Sequence, residues 1–225
     1  MQHRYRSRQT GFTLVEIAIV LVIIGLLLGG VLKGQEMIEN AKVKSAISDL
    51  RGVTAAYNSY LDRFRRLPGD DGNLAALTAR GGSWANITAA GGNNGVLNIT
   101  PNQVFNGGGE GAAFWQHLRA SGFIAGNPAD AGAAAIPRNP FNGLMGVANN
   151  TTGVTGMAQG LSTCFGQVPG KAARQMDVQI DDGNPSTGSI RSTVGVAGAN
   201  TIPGAAAPAA PGYSENQQYT VCSSL

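Results

Sequence analysis

The stretch Gly11-Phe12-Thr13-Leu14-Val15-Glu16 opens an apolar run that ends at Leu32. Within this run the only polar side chains are those of Thr13 and Glu16. At about 1.5 Å per residue, a helix of this length crosses the hydrocarbon core of a bilayer. A cleaved secretory signal has a shorter apolar core followed by a small-residue cleavage site, whereas Lys33-Gly34-Gln35-Glu36 follows this run. The run therefore predicts a membrane-spanning helix that stays on the protein.

A short basic leader precedes the apolar run. It carries Arg4, Arg6 and Arg8 and no acidic residue, which is compatible with a cytoplasmic N-terminus. The leader holds three of the 16 basic residues, so the remaining 13 balance the 13 acidic residues. A chain that is neutral without its leader is not suited to bulk electrostatic binding of nucleic acid, so nucleic acid is not an expected partner. Arg63, Arg65 and Arg66 are interpreted as a solvated helix end, and the alternative is a local basic patch.

These features together resemble the class III signal peptide of type IV prepilins, which type IV pilins share with the pseudopilins of type II secretion. The resemblance rests on the basic leader, on the Gly11-Phe12 bond and on Glu16 five residues into the apolar segment. It implies that a prepilin peptidase cuts after Gly11 and that Phe12 becomes the N-methylated N-terminus. It also implies a single-pass protein of the bacterial inner membrane with a cytoplasmic N-terminus. The head would then lie in the periplasm or on a cell-surface filament.

Glu16 needs an explanation, because a carboxylate at membrane depth costs at least a few kcal/mol. One interpretation is that its side chain reaches the headgroups, since it lies close to the start of the helix. The resemblance implies a second interpretation, in which the Glu16 carboxylate pairs with the N-terminal ammonium of Phe12 in a neighbouring subunit. Such a pair in a low dielectric fixes the register between two helices.

Four glycines in and just after the apolar segment form two successive pairs, Gly25 with Gly29 and Gly30 with Gly34. Small residues four apart allow helices to approach closely in lipid, so these positions are candidate assembly contacts. The alternative is the ordinary tolerance of membrane helices for glycine.

The pattern divides the chain into four parts. Residues 1–11 are the predicted leader, 12–32 the transmembrane and assembly half of a long helix, 33–67 its amphipathic half and 68–225 a globular head. The amphipathic half has one apolar face with steps of three and four residues, formed by Val43, Ile47, Leu50, Thr54, Tyr57, Leu61 and Phe64. Pro68-Gly69 ends this pattern.

The head is rich in Gly, Asn and Ala and has short predicted elements. A long loop is predicted over 69–110 with one small strand near 95–99, followed by helices over 110–120 and 169–180. Strands are predicted over 144–148, 161–167, 190–196 and 218–222, and a surface loop over 198–212. The layout resembles an α+β pilin-like fold, in which the long N-terminal helix packs on a small antiparallel sheet with a loop-rich head and a C-terminal disulfide region.

Three head segments also resemble those of a pilin-like subfamily of Gram-negative bacteria. They are Leu67-Pro68-Gly69-Asp70-Asp71, Phe114-Trp115-Gln116-His117-Leu118 and the stretch over 180–188.

Cys164 and Cys222 are the two cysteines of the chain. An even pair in an oxidising compartment indicates a disulfide, and the alternative is two free thiols. Pilins often carry a disulfide in their C-terminal region, so the resemblance favours the pairing.

The sequence carries no recognisable catalytic motif, and an enzyme is not expected. Asp177, Asp181 and Asp182 surround the end of the second short helix, where carboxylates oppose the helix dipole. A turn that uses these side chains as acceptors is the favoured interpretation. The alternative is a calcium site, because oxygen-rich loops suit this ion, although the spacing of an EF-hand is absent. No other cofactor is expected.

The predicted function is therefore structural. The chain would be a subunit, most readily a minor pilin or a pseudopilin, that assembles through its N-terminal helix into a type IV pilus or a type II secretion pseudopilus. The resemblance implies as partners the prepilin peptidase, other pilin or pseudopilin subunits and the inner-membrane assembly platform. The alternatives are a single-pass, membrane-anchored periplasmic binding protein and an adhesive or DNA-uptake tip pilin.

Overall fold

The structure, a computed structural model, describes residues 11, 13–149, 157, 160–204 and 212–225. Phe12 and the three leader arginines lie outside the described residues, as does part of the surface loop predicted over 198–212. The chain divides into two compact units, one ending at Ala41 and the other beginning at Lys42. Helix α1, Leu14–Phe64, contributes residues to both.

The first unit contains the apolar part of α1. This helix is long and apolar enough to cross a membrane, and no residue of its most apolar window is buried. The predicted long N-terminal helix is thus confirmed, with ends within about two residues of those expected.

The second unit contains a four-stranded antiparallel sheet. Its strands are β1 (Met145–Asn149), β2 (Leu161–Pro169), β3 (Ile190–Gly195) and β4 (Gln218–Ser224). Their order in the sheet is β1-β2-β4-β3, so the last strand of the chain inserts between β2 and β3. All four predicted strands of the sheet are confirmed, with ends shifted by at most two residues.

Three further helices belong to the second unit: α2 (Leu74–Thr78), α3 (Glu110–Ala120) and α4 (Gly170–Ile180). Both predicted short helices are confirmed as α3 and α4. Short 3₁₀ helices cover Gly82–Asn86, Pro101–Gln103 and Gly132–Ala135. Together with a buried stripe of α1, these elements and the sheet enclose one hydrophobic core. The stripe consists of Val43, Ala46, Ile47, Leu50, Val53, Ala56 and Tyr60.

The strand predicted near 95–99 is wrong, because no strand forms there. Two buried carboxylates hold this part of the chain instead. Asp70 accepts hydrogen bonds from the backbone amides of Asn94 and Gly95. Glu110 accepts those of Gly92 and Asn98. Backbone amides that would bond to a neighbouring strand therefore donate to acidic side chains instead, and the loop is ordered without a strand.

The predicted disulfide is confirmed between Cys164 and Cys222. The two residues face each other directly in the β2–β4 pair, and both are buried. The bond closes a loop with a sequence separation of 58 residues, which includes α4 and β3. In the chain-entropy model, a loop of this size stabilises the folded state by about 4 kcal/mol.

Replacing both cysteines by Ala is expected to lower the free energy of unfolding of the head by about 4 kcal/mol. Urea unfolding of the full chain in detergent, followed by the fluorescence of Trp84 and Trp115, measures this loss, because both tryptophans are buried in the head. Wild-type chain treated with reductant under denaturing conditions and then refolded is the matched control. Peptide mapping without reductant should recover the linked pair, and two alkylatable thiols in the native chain would contradict the assignment.

Candidate assembly segment and head sites

The start of α1 places Thr13 and Glu16 in direct contact. Oε2 of Glu16 accepts hydrogen bonds from the backbone amide and the hydroxyl of Thr13, both at 2.8 Å. In return, the Glu16 amide donates to Oγ1 of Thr13 at 3.2 Å. This reciprocal arrangement is a capping box, which satisfies two amides that a helix start otherwise leaves free. The spacing Thr-x-x-Glu before an apolar run signals this motif, but the sequence interpretation did not use it.

The four candidate glycines lie on two different sides of α1. Successive helical residues are about 100° apart, so Gly30 lies about 140° around the helix from Gly25. Gly34 is 18 residues, or about five full turns, beyond Glu16 and therefore shares its side. A Cβ added at any of these four glycines would meet no atom within 4 Å. The glycines therefore leave two separate strips of open backbone surface on the helix, one of them in line with Glu16.

Gly11, the predicted residue before the cleaved bond, is exposed and has no neighbour within 4 Å of an added Cβ. Its predicted partner in the bond, Phe12, lies outside the described residues. Cleavage and methylation at this bond remain predictions.

A buried polar cluster joins two of the head segments that resemble the pilin-like subfamily. The Gly69 amide donates to Nδ1 of His117 at 2.9 Å, which places the imidazole proton on Nε2. Gly69 has a φ of +92°, and an added Cβ would lie 3.0 Å from backbone atoms of Glu110 and Phe114. A glycine is therefore required where the chain leaves α1 and passes close to α3.

Asp71 lies beside this cluster and connects it to α1. Its Oδ2 accepts hydrogen bonds from the Tyr60 hydroxyl at 2.6 Å and from the Arg80 guanidinium at 2.7 Å. The second oxygen, Oδ1, lies 3.7 Å from Nε of Arg66. Arg80 also stacks on the ring of Trp84, 4.6 Å from its centroid. The acidic pair after Pro68 is thus occupied within the fold: Asp70 holds a loop, and Asp71 is the anion of a buried network.

Burial lowers the pKa of His117 to about 4, and the nearby Arg80 charge acts in the same direction, whereas the Ala89 backbone and the two aspartates oppose the shift. The folded protein therefore keeps His117 neutral, while an unfolded histidine has a pKa near 6.5. Between these two values the unfolded chain binds more protons, so stability falls as the pH falls from about 6.5 to about 4.

We expect His117→Asn to remove part of the pH dependence of the free energy of unfolding. The part that His117 contributes reaches about 3 kcal/mol at the acid end of this window. Asn keeps an acceptor for the Gly69 amide but does not titrate. The measurement is the free energy of urea unfolding of both chains from pH 7 to pH 4. Other titrating groups are common to both chains, so the difference between the curves isolates His117. Parallel curves over this range would contradict the prediction.

Asp177, Asp181 and Asp182 come together, with carboxylate oxygens within 4.8 Å of one another. Each of the three accepts hydrogen bonds from its own surroundings. Asp177 accepts from the Tyr213 hydroxyl at 2.6 Å and the Gly183 amide at 3.1 Å. Asp181 accepts from the Ile190 amide, and Asp182 from the Asn184 amide and the Thr187 hydroxyl.

These bonds match the favoured interpretation of a turn that uses its carboxylates as acceptors. Burial raises the pKa of Asp177, and the charges of Asp181 and Asp182 also raise it. The hydrogen bond from the Tyr213 hydroxyl lowers the pKa of Asp177 and so partly offsets this rise. The sequence interpretation missed this donor. The sequence offers no signal for Tyr213, because it lies 36 residues away from Asp177 along the chain.

Millimolar calcium is expected to leave the melting temperature of the full chain in detergent unchanged, because the three carboxylates already serve as acceptors in the turn. Calorimetry with calcium, with magnesium and with EDTA checks this expectation. An upward shift specific to calcium, reversed by EDTA and abolished by Asp181→Asn with Asp182→Asn, would contradict it, since a ligand that binds the folded state raises its stability.

Comparison with known proteins identifies the N-terminal segment. Residues 6–32 match the family model of the prokaryotic N-terminal methylation motif. The predicted resemblance is thus confirmed: the chain carries a class III signal peptide, as type IV pilins and pseudopilins do. No curated protein matches the chain. The motif implies processing by a prepilin peptidase and assembly with other pilins, and its family is structural rather than enzymatic.

Proposed function

We propose that the chain is a filament subunit, a minor pilin or a pseudopilin, that assembles through α1 into a type IV pilus or a type II secretion pseudopilus. The observation that carries the proposal is the match of residues 6–32 to the methylation motif on a helix whose apolar window is unburied. Such a surface needs lipid before assembly and other helices after it. The two strips of open backbone at the glycines supply close-contact sites for neighbouring helices.

The proposal includes a processing step. A prepilin peptidase would remove residues 1–11, and the new N-terminus at Phe12 would be methylated. The rest of the chain would stay in the bacterial inner membrane with its N-terminus on the cytoplasmic side until the assembly platform draws it into a filament. A membrane-anchored binding protein, the alternative, would need neither the cut nor the filament.

Intact-mass analysis of the chain purified from its native membrane should show the loss of residues 1–11 and the gain of one methyl group. Gly11→Val is expected to block the cut, because a branched side chain should not fit where the peptidase accepts glycine. Gly34→Val is a matched control, since it makes the same substitution within α1, away from the cut. A chain that retains residues 1–11, or one cut beyond Leu32, would rule out the proposed processing.

Glu16 is the proposed assembly residue, and its side chain has two separable roles. In the free chain it caps α1 through Thr13. In a filament, its carboxylate would pair with the Phe12 ammonium of a neighbour, since a charge at membrane depth needs a partner. Glu16→Gln keeps an acceptor for the Thr13 amide but removes the charge, whereas Glu16→Ala removes both.

Both Glu16 variants are expected to insert and to be cleaved, because Gly11 and Phe12 are unchanged. If the ion pair drives assembly, both should be depleted by about tenfold or more from sheared surface filaments, the equivalent of at least 1.4 kcal/mol. Immunoblots of the sheared and membrane fractions measure this ratio. Normal incorporation of Glu16→Gln would show that the cap, not the charge, is what matters. Loss of cleavage in either variant would move the role of Glu16 to recognition by the peptidase.

A further inference from the structure

Two grooves border the exposed face of α1 in the second unit. One has a volume of about 480 Å³, and its lining includes Asp49, Gly52, Trp115, Phe123 and Ile124. The other, of about 250 Å³, is lined by Lys44, Ile47, Arg51 and Gln179. Ser48 lines both grooves. It therefore stands on the ridge that separates them.

The charged residues that α1 contributes to the two grooves are opposite in sign: Asp49 lines the first groove, and Lys44 and Arg51 line the second. Successive helical residues are about 100° apart, so Asp49 lies about 100° to one side of Ser48. Lys44 and Arg51 lie about 40° and 60° to the other side. The exposed face of this one helix thus has an acidic edge and a basic edge.

Asp49 has no ion pair or hydrogen-bond partner among the described residues, although it is half-buried beside apolar side chains. Burial raises the pKa of this carboxyl group. Arg138 lines the same groove, but its guanidinium donates to the carbonyl of Asn142 at 3.0 Å and forms no ion pair with Asp49. A partly desolvated carboxylate without a counter-charge is costly, and a cation brought from outside would offset that cost.

The cations on the opposite edge of α1 also have no charged partner within the described part of the chain. Lys44 and Arg51 are exposed, and within the described part of the chain neither makes an ion pair or a hydrogen bond. Their edge cannot reach the Asp49 groove of the same helix, because the ridge at Ser48 stands between them. Each chain therefore presents one carboxylate without an ion-pair partner, at Asp49, and one basic edge without an ion-pair partner, at Lys44 and Arg51.

We propose that these two edges bind each other in neighbouring copies of this chain, with Lys44 and Arg51 of one copy entering the Asp49 groove of the next. The inference rests on the proposed filament function, in the case where copies of this chain are neighbours in one filament, and that function places all copies parallel in one membrane. Along the helix axis, Arg51 is about 3 Å and Lys44 about 8 Å from the level of Asp49. An axial shift of a few ångströms between parallel copies therefore brings a cation level with the carboxylate.

This contact is heterologous, because it joins two different surfaces of the same subunit. A heterologous contact leaves one free edge on each terminal copy, so it propagates into a ring or an open helical filament rather than stopping at a dimer. Gly52 also lines the Asp49 groove, and an added Cβ there would meet no atom within 4 Å, so the space beside this glycine is open. The groove thus admits a long side chain from a neighbour.

Charge reversal tests the pairing in the full chain in its native host. Asp49→Lys should place like charges together at the interface and should lower incorporation into sheared filaments by about tenfold or more. Lys44→Glu with Arg51→Glu should do the same. Combining all three changes restores opposite charges and should restore incorporation. Glu215→Lys, an equal charge change at an exposed position outside both grooves, is the matched control.

Cysteine cross-linking in native membranes gives a second measurement that does not depend on filament yield. Chains with Asp49→Cys and chains with Arg51→Cys, carrying different tags and expressed together, should form a mixed disulfide dimer. Neither variant alone should do so, because the contact joins unlike edges. The native cysteines are buried in their own disulfide, and Val196→Cys in place of Arg51→Cys is the exposed control.

A dimer of Asp49→Cys with itself at equal yield would indicate a symmetric contact and overturn the proposal. Incorporation unaffected by either charge reversal, with no mixed dimer, would also overturn it while leaving the filament function intact. Failure of the proposed function is distinguishable, because wild-type chain would then be missing both from sheared pili and from isolated pseudopili. Mixed dimers together with rescue by the triple variant would establish the pairing.

Discussion

The structure depends on one constraint: the apolar part of α1 exposes its side chains all around and has no partner within its own unit. In water such a surface carries a hydrophobic penalty of about 25 cal/mol for each Å². The helix is therefore compatible with only two surroundings, a lipid bilayer or other helices. A bilayer does not favour helix association hydrophobically, so contacts between helices must come from close packing and polar pairs. Under the proposed function, the glycine strips and Glu16 supply such contacts.

Glu16 shows how one residue satisfies this constraint in two settings. Its carboxylate caps the helix start through Thr13, so the charge already has local donors when the chain is alone. Under the proposed function, cleavage then creates an ammonium one residue before Thr13. An ammonium is a stronger partner for a carboxylate than a neutral amide or hydroxyl. The Glu16 carboxylate can therefore form its proposed ion pair with the Phe12 ammonium of a neighbouring subunit only after processing.

The parts of the fold that depend on local periodicity were predictable from the sequence. The buried stripe of α1, the two short helices and the strands show patterns with a period of 3.6 or 2 residues, and the apolar run is recognisable by its length. The motif at residues 6–32 was recognisable for the same reason, since its residues are contiguous. The disulfide followed from having only two cysteines, so no choice of partner was needed.

The parts that depend on distant side chains were not predictable. The false strand near 95–99 arose because buried Asp70 and Glu110 satisfy that loop from far along the chain. Gly69 and His117 are 48 residues apart, and no local sequence pattern predicts their hydrogen bond. The same holds for Tyr213 and Asp177. The acidic residues that looked like ligand sites are mostly used to order loops whose composition, rich in Gly and Asn, provides little packing of its own.

Under the proposed function, the division of α1 into a buried and an exposed face links the core of the second unit to assembly. Its buried stripe is fixed by the core, by the Tyr60 contact with Asp71 and by the Tyr57 ring stacked near Phe114. Once that stripe is fixed, the helical period determines which residues point outward. The helix cannot rotate to bury these residues without exposing the stripe. Asp49 and Arg51 are only two residues apart, yet this period places them about 160° apart around the axis. A rigid core on one side therefore imposes an oriented, two-edged surface on the other, and a surface with unlike edges favours growth in one direction over closed pairing.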